Sequence, residues 1–455
     1  MSQIHTKILS VPHTPVASTP ADFGLTFRDQ AASPNSPWRE PCESLRVDFT
    51  NPVAQNTLTT AASHLRKGEL VAFPTETVYG LGACALWPTS AQRIYAAKNR
   101  PADNPLIVHI SDRQMLRQLV PDNYEFSPAC EALMNAFWPG PLTLLFPVGT
   151  TLDGSPRVPS TVTCGQPTVG VRMPSHPVAR ALIALAGVPV AAPSANASGR
   201  PSPTAADHVY TDLSPRHVLS YIVDGGECSI GLESTVVDAT TAPGEVRVLR
   251  PGGVSTEQIA AVLSQSGLTT QGLQLRVYGK DMARNAAQEA APTTPGMKYR
   301  HYSPEARVIL LQCHSNDTAP TLMQLLQDAK ATMALPHDLR VGLLCATDSP
   351  ILSALPDDDL RTWASQPSSS RLSPVLHIDG IQLCVYSMGE KSSPAIAAQR
   401  LFDGLRSLDA LVPWDGAPGA CDLILAEAIP EEGVGLAVMN RLNKAASTTA
   451  AICMQ

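Results

Sequence analysis

The alternation of apolar and polar positions predicts a first series of strands and helices between Asn51 and about residue 265. A capping Asn51 and a helical pattern to Lys67 precede an apolar strand at Leu70–Pro74. Many short strands with interspersed helices predict an α/β domain built on a twisted, mixed sheet. The other predicted strands cover 106–110, 142–148, 168–173, 188–192, 221–224, 234–238 and 246–249, and the other predicted helices cover 90–97, 177–186 and 256–264.

A second series begins after residue 304 and alternates strands with helices. The predicted strands cover 308–312, 340–345, 382–386 and 422–426, and the predicted helices cover 319–331, 394–408 and 436–445. This alternation favours a smaller, Rossmann-like, doubly wound parallel sheet. No Gly-x-Gly-x-x-Gly follows its first strand, so the sequence gives little support to dinucleotide binding there. The polar stretch 347–376 is expected to be a mobile surface excursion.

The same patterns divide the chain into four parts. Residues 1–47 mix Pro, Ser, Thr and Ala without periodicity and are expected to form a flexible extension, with a short edge strand at His5–Leu9. Residues 48–267 form the expected catalytic domain, and 305–455 form the second domain. Between them, the pattern fades over 268–304, which we interpret as an interdomain linker.

Composition narrows the class of protein. A chain of 455 residues that is 44% apolar is long enough for two folded domains. Its net charge of −7 offers no basic footprint, so stable nucleic-acid binding is not expected. The 10 cysteines contain no C-x-x-C pair and are typical of buried thiols in a reducing compartment. With no apolar run of about 20 residues and no secretory h-region, we expect a cytoplasmic protein without membrane segments, and a minor mitochondrial pool remains open.

Three polar loops carry the candidate chemistry. KNRPADNP at Lys98–Pro105 places two cations between a predicted helix and a predicted strand. PSANASG at 193–199 also follows an apolar strand, and PTETVYGLG occupies 74–82. The arginine guanidinium can bind two phosphate oxygens at once through parallel N–H groups, whereas the lysine ammonium is a movable point charge on a flexible side chain. Most Lys and Arg side chains are merely solvated surface charges, yet three such loops together predict a nucleotide-using enzyme.

Six segments, in order, resemble the threonylcarbamoyl-AMP synthase family, in particular its two-domain Sua5-type members, from about Asp48 to the last helix. They are FPTETVYGLG at 73–82, KNRPADNPLIVH at 98–109, WPGPLT at 138–143, VGVRMPSHP at 169–177, APSANASGRPSPT at 192–204 and GLESTVVD at 231–238. The resemblance implies a YrdC-like domain followed by a Sua5 domain. It also implies that L-threonine, bicarbonate or CO2, and ATP become threonylcarbamoyl-AMP and pyrophosphate, in the first step of t6A modification at adenine 37 of ANN-decoding tRNAs. This reaction brings two anions, the carbamate and the triphosphate, into contact. Preorganised cations in a cleft that excludes water would offset their repulsion.

The resemblance also assigns roles to residues. It implies catalytic roles for Lys98 and Arg100. The implied ATP-binding residues are Lys98, Arg100, Asn104, Thr168, Ser194, Asn196, Ser202, Arg250 and Tyr302. The implied L-threonine-binding residues are Thr77, His109, Arg172, Ala192 and Ser234. Mg2+ is expected to arrive on the phosphates, and the product is expected to pass to the threonylcarbamoyl-transferase machinery that acts on tRNA. The segment 298–304 is expected either to cover ATP as a lid or to serve as a docking strap.

Several residues keep alternative interpretations. Thr77 could stabilise a turn, and His109 could be structural. Glu76 could act as a base, a metal ligand or a loop brace, and Glu233 could be an ion-pair partner. Arg172 interrupts an apolar strand and needs a partner, for which the threonine carboxylate is the expected choice.

Two other functions share parts of this pattern. Related carbamoyltransferases, including the hydrogenase-maturation type, also make a carbamoyl-adenylate, but the hydrogenase type carries paired C-x-x-C zinc fingers that this sequence lacks. A double-stranded RNA-binding module would show steep salt dependence, and the acidic composition argues against it.

Overall fold

A computed structural model describes residues 4–13, 18–28, 44–278, 280–282, 301–314, 319–333, 335–355, 358–365, 370–414 and 417–453. The chain forms two compact units. The first unit consists of residues 1–198, 202–229 and 233–299. The second consists of residues 300–455 with the short segments 199–201 and 230–232.

Within the described residues, a mixed sheet of 11 strands organises the first unit. The strands of this unit are β1 Lys7–Ser10, β2 Leu25–Arg28, β3 Arg46–Phe49, β4 Val71–Phe73, β5 Gly80–Cys84, β6 Val108–His109, β7 Leu142–Pro147, β8 Thr168–Arg172, β9 Val190–Ala191, β10 Tyr221–Asp224, β11 Thr235–Asp238, β12 Glu245–Arg250 and β13 Gln274–Val277. The order across the sheet is β1-β10-β4-β5-β9-β6-β8-β7-β11-β12-β13, while β2 and β3 form a separate pair. The predicted mixed-sheet α/β domain is therefore confirmed.

The helices of the first unit are α1 Pro52–Arg66, α2 Pro88–Lys98, α3 Arg113–Arg117, α4 Pro128–Phe137, α5 Ser160–Thr163, α6 Pro177–Ala186, α7 Ala206–Leu213 and α8 Thr256–Gln265. Four of these helices, α1, α2, α6 and α8, were predicted from the periodicity of the sequence. The first of them begins where the sequence indicates, because the Asn51 side chain accepts hydrogen bonds from the backbone N–H groups of Val53 and Ala54 at 2.8 and 3.3 Å. The helices α3, α4, α5 and α7 were not predicted.

Strand β5 occupies part of a segment that was interpreted as a loop. Its Gly-Leu-Gly sequence resembles a turn, but Gly82 is required for packing. A Cβ atom at this position would lie 2.6 Å from a ring carbon of Phe73 and 2.8 Å from a methyl carbon of Val190. The glycine therefore marks a close approach inside the sheet.

The beginning of the chain differs from the expected flexible extension. β1 pairs with β10 in parallel at one edge of the large sheet, close to the predicted edge strand. Val11, Phe23 and Leu25 are buried. These residues contribute to the core of the first unit, while residues 29–43 of the predicted extension lie outside the described residues.

In the described part of the second unit, the main sheet has six strands in the order β16-β17-β15-β20-β14-β21. The strands of this unit are β14 Arg307–His314, β15 Leu339–Cys345, β16 Leu376–Ile378, β17 Ile381–Ser387, β18 Val412–Trp414, β19 Ala417–Gly419, β20 Leu423–Glu427 and β21 Thr448–Cys453. Of these, β18 and β19 form a separate pair. The helices are α9 Leu322–Met333, α10 Pro350–Ser353, α11 Asp358–Ser365, α12 Pro394–Ala410 and α13 Gly435–Ala445. All main-sheet pairs are parallel except β16 with β17, which confirms the predicted parallel sheet.

Two other expectations about irregular segments are corrected. The stretch 347–376 contains α10 and α11, and its Ile351, Leu352 and Leu360 are buried in the core of the second unit. The apolar residues are too widely spaced among polar ones to give a clear period, although they still pack.

The expected linker 268–304 begins inside the first sheet, since β13 pairs in parallel with β12. Residues 279 and 283–300 lie outside the described residues.

We expect Gly252→Ala to destabilise the first unit by about 3 kcal/mol or more, at or above the upper end of the usual range for overpacking. The added Cβ would lie 2.3–2.4 Å from backbone atoms of Glu233, Ser234 and Thr235, which cannot move as a flexible side chain can. Thermal unfolding measures the effect. Gly244→Ala is the control, because its Cβ meets no atom within 4 Å and only its positive φ of 73° costs about 1–2 kcal/mol. Equal melting temperatures for the two variants would contradict the close-approach argument.

Candidate functional site

A row of buried polar side chains crosses the middle of the first sheet. His109 on β6 pairs with Arg172 on β8, and Arg172 pairs with Thr143 on β7. Residues directly opposite each other on paired strands project to the same face of a sheet. The sheet therefore gathers three polar groups that are far apart in sequence.

Arg172 is balanced by residues of the chain itself. Its Nε donates to the carbonyl oxygen of Gly140 at 3.2 Å, and Nη1 donates to Oγ1 of Thr77 at 2.7 Å. Its Nη2 lies 2.6 Å from Oε1 of Glu76, and both side chains are buried. Glu76 therefore supplies, within the chain, an opposite charge for Arg172, and binding of the threonine carboxylate by Arg172 stays a prediction.

Ser234 extends the polar row towards β12. The hydroxyl oxygens of Thr143 and Ser234 are 2.8 Å apart. Arg250, at the end of β12, donates through Nη2 to the backbone oxygen of Ser234 at 2.9 Å and to its Oγ at 3.3 Å. Thr143 was missed by sequence reasoning, although a buried hydroxyl inside the apolar strand after WPGP was an available signal.

Ser202 belongs to the same region of the chain as the PSANASG loop and is fully buried. Its hydroxyl donates to Oε1 of Glu233 at 2.6 Å. Glu233, for which an ion-pair role was considered, therefore accepts a hydrogen bond from a predicted ATP-binding residue.

A second cluster joins the end of α2 to the loop after β9. α2 ends at Lys98, and Asn99 takes the left-handed conformation with φ 51°, which turns the chain out of the helix. The buried Nζ of Lys98 donates to the backbone oxygen of Asn196 at 2.6 Å and also to that of Ser194. The Ser194 hydroxyl donates to Oδ1 of Asn196 at 2.5 Å. Lys98 is thus a fixed donor rather than the movable point charge expected from the sequence.

Arg100 holds the shape of the KNRP loop. Its Nε donates to the backbone oxygen of Asn104 at 3.1 Å, and Nη2 donates to that of Pro105 at 3.0 Å. The hydroxyl of Tyr95 donates to the same oxygen of Asn104 at 3.0 Å. Asn104 is buried, whereas Arg100 is half-buried at the rim of this loop.

The remaining predicted residues lie at different places. Ala192 is buried just after β9, and its N–H donates to the carbonyl oxygen of Ile107 at 3.0 Å. Thr168 is half-buried at the start of β8. Tyr302 belongs to the second unit, where its ring centroid lies 5.1 Å from that of Phe402. Residues 298–300 of the expected lid are outside the described residues.

Burial keeps the histidines of this region uncharged. Desolvation, followed by the positive charge of Arg172, lowers the pKa of His109 to about 3. Desolvation lowers the pKa of His176 to about 4, against the opposing effect of Glu76. His109 is therefore a neutral imidazole near pH 7, and its buried Nδ1 makes no hydrogen bond within the described residues.

The two-unit fold, with a lysine, serine and asparagine cluster beside a buried polar row, is that of an α/β enzyme that uses a nucleotide. A family model described as "Telomere recombination" matches residues 63–252, and one described as "Threonylcarbamoyl-AMP synthase, C-terminal domain" matches 254–447. This chain belongs to the threonylcarbamoyl-AMP synthase family, a family of enzymes that transfer an AMP moiety. The resemblance of the six sequence segments is thereby confirmed.

Individual relatives cover nearly the whole chain. The threonylcarbamoyl-AMP synthase of Schizosaccharomyces pombe is 38% identical over 91% of this chain and 94% of its own length. The Bacillus subtilis enzyme is 39% identical over 88% of this chain and 96% of its own length. A crystal structure of Pyrococcus abyssi Sua5 complexed with L-threonine is similar with a TM-score of 0.64 and 37% identity, over 88% of this chain and 96% of that one.

Two kinds of feature are absent from the described residues. None of their helices is long and apolar enough to cross a membrane. Among the same residues, no three His, Cys, Asp or Glu side chains are grouped so that they could hold a metal ion.

We expect acid to destabilise the protein through His109 and His176. Their folded-state pKa values lie below the usual 6.5, so the unfolded state binds more protons as pH falls, and the stabilisation present above pH 6.5 is lost towards pH 4. Each should contribute a slope of up to about 1.4 kcal/mol per pH unit. Denaturant titrations between pH 5 and 7 measure the free energy of unfolding.

The matched variants for this prediction are His176→Asn and His109→Asn, which should each flatten that slope. His5→Asn, at an exposed position, should leave it unchanged. A slope that is the same in all four proteins would show that the buried imidazoles do not control acid stability.

Proposed function

We propose that the first unit binds ATP and L-threonine together and joins them through CO2. The amino nitrogen of threonine loses a proton and attacks CO2 to form a carbamate. A carbamate oxygen then attacks the α-phosphorus of ATP, the bond from that phosphorus to the β-phosphate bridging oxygen breaks, and pyrophosphate leaves. The observation that carries the proposal is the cluster of Lys98 with Ser194 and Asn196, which joins the end of α2 to a loop that is distant in the sequence.

The proposed nucleotide site uses the two polar loops at this cluster. Lys98 ties the end of α2 to the backbone of Ser194 and Asn196, so the two loops keep one geometry. Arg100 lies half-buried at the rim of its loop, where guanidinium N–H groups can meet phosphate oxygens. Donors that are fixed before the substrates arrive offset the repulsion between carbamate and triphosphate without reorganisation. Asn104, Thr168, Ser202 and Arg250 complete the proposed ATP contacts.

The proposed threonine site uses the polar row. Arg172 would take the threonine carboxylate, and Thr77, fixed by its hydrogen bond to Arg172, lies beside it. His109 contributes a neutral imidazole, which can exchange a hydrogen bond with a substrate without adding charge. Ser234 and Ala192 complete the proposed threonine contacts.

The remaining parts of the proposal concern delivery and handover. Mg2+ would enter on the triphosphate and neutralise part of its charge. The product would pass to the threonylcarbamoyl-transferase machinery that acts on tRNA, in the cytoplasm.

The direct test is incubation of the protein with ATP, bicarbonate and each of the 20 amino acids, with AMP-linked products identified by mass. We expect threonylcarbamoyl-AMP and pyrophosphate with L-threonine, and little product with the others. No adenylate with any amino acid, or carbamoyl-AMP in a parallel incubation that supplies carbamoyl phosphate, would contradict the proposal.

We expect Arg100→Ala to lower the rate of threonine-dependent pyrophosphate release by roughly 10²–10³, the usual effect of removing one preorganised donor. Arg100→Lys should restore part of the rate, because it keeps the charge but not the paired N–H groups. Arg46→Ala, at an exposed position on β3, is the control. An unchanged rate in Arg100→Ala, measured on folded protein, would reject the phosphate-loop assignment.

A substitution of Lys98 tests the phosphate-loop assignment less cleanly than one of Arg100. Its buried Nζ donates to two backbone carbonyl groups, so Lys98→Ala should lower the melting temperature as well as the activity. Thermal unfolding and pyrophosphate release measured on the same sample separate the two effects.

A further inference from the structure

The carboxylate of Glu76 is buried and incompletely satisfied. Oε1 forms an ion pair with Arg172, whose Nη2 lies 2.6 Å away. Oε2 is buried and has no hydrogen-bond partner within the described part of the chain. A buried carboxylate normally accepts several hydrogen bonds, so Oε2 points to a missing donor.

Glu76 makes no direct hydrogen bond to its own loop within the described residues. The PTET turn is held by Thr75, whose hydroxyl donates to the backbone oxygen of Val78 at 2.6 Å and accepts from the N–H groups of Thr77 and Val78 at 3.2 Å. In the described part of the chain, Glu76 therefore acts on the loop only through its ion pair with Arg172.

Two titratable neighbours of this region are neutral. Burial lowers the pKa of His176 to about 4, so this imidazole is uncharged near pH 7. Burial also raises the pKa of the Cys228 thiol, which keeps it protonated. Glu76 and Arg172 present a carboxylate and a guanidinium side by side.

An α-amino acid carries the complementary pair, a carboxylate and an ammonium group on one carbon atom. We propose that Glu76 receives the α-ammonium group of L-threonine while Arg172 receives the carboxylate. This inference rests on the proposed function and adds a residue to its threonine site. The ammonium group brings three N–H donors, one of which would meet Oε2, the Glu76 oxygen without a donor in the described residues. Glu76 thereby becomes a specificity-determining residue that selects ligands with an amino group.

The test compares two ligands, L-threonine and 2,3-dihydroxybutyrate, in which a hydroxyl replaces the ammonium group. Their dissociation constants are measured by calorimetry with the wild-type protein and with Glu76→Gln. We expect the variant to bind threonine roughly 10- to 100-fold more weakly, the usual loss for one hydrogen bond to a charged group. Binding of 2,3-dihydroxybutyrate should stay the same or tighten.

A purely positioning role for Glu76 gives a different result. If Glu76 only orients Arg172, both ligands lose the same factor, because both carry the carboxylate. Equal losses, or no loss for threonine, would overturn the inference. Glu125→Gln, at an exposed position in the same unit, controls for the loss of one negative charge and should change neither constant.

If Glu76→Gln, which leaves the buried Arg172 without its counter-charge, does not fold, circular dichroism reveals it. Glu76→Asp then replaces it, since it keeps the charge but withdraws the carboxylate, and should weaken threonine selectively. A crystal structure of the wild-type protein with L-threonine gives an independent answer. The amino nitrogen should lie within about 3.2 Å of a Glu76 oxygen. A nitrogen that contacts other groups instead would overturn the inference.

These results also separate the inference from the proposed function. Selective binding of threonine through Glu76 without adenylate formation would refute the reaction and leave the binding role standing. Adenylate formation with an unchanged threonine KM in the folded Glu76 variant would refute the binding role alone.

Discussion

The buried ion pair between Arg172 and Glu76 is the interaction on which the first unit's site depends. A guanidinium in the middle of an apolar strand is costly unless an opposite charge and hydrogen-bond acceptors meet it. The pair and the contacts of Arg172 with Thr77 and Gly140 meet that requirement. Because those partners come from two different loops, satisfying one charge also sets the positions of both loops.

Lys98 applies the same principle to a second pair of segments. Its ammonium group is buried and donates to carbonyl oxygens of the loop after β9. An unpaired ammonium at this depth would be strongly unfavourable, so the end of α2 and that loop stabilise each other. A lysine that the family resemblance assigns to phosphate binding therefore also stabilises the fold. The need for internal partners explains why Lys98 and Arg172 are more buried than most Lys and Arg side chains.

The sequence predicted most of the longer helices and most of the apolar strands. It failed where the local sequence does not resemble the element that packing produces. α6 matches its predicted bounds of Pro177–Ala186 because its apolar face is continuous and Pro and Gly mark its two ends. β5 was missed because glycines needed for close packing resemble a turn. β21 was missed because its threonines and alanines, which pair with β14, form no apolar run. The buried residues of α10 and α11 are too sparse to show a period.

The sequence by itself determined the family, the succession of a mixed-sheet domain and a parallel-sheet domain, and the identities of the candidate polar residues. These follow from local pattern and from motifs along the chain. Only the tertiary structure decided which groups meet. That Arg172 is balanced by Glu76, that Thr143 joins Ser234, and that Lys98 is a fixed donor follow from strand order and register. Pairing between strands brings distant residues within hydrogen-bond distance, and no single segment contains that information.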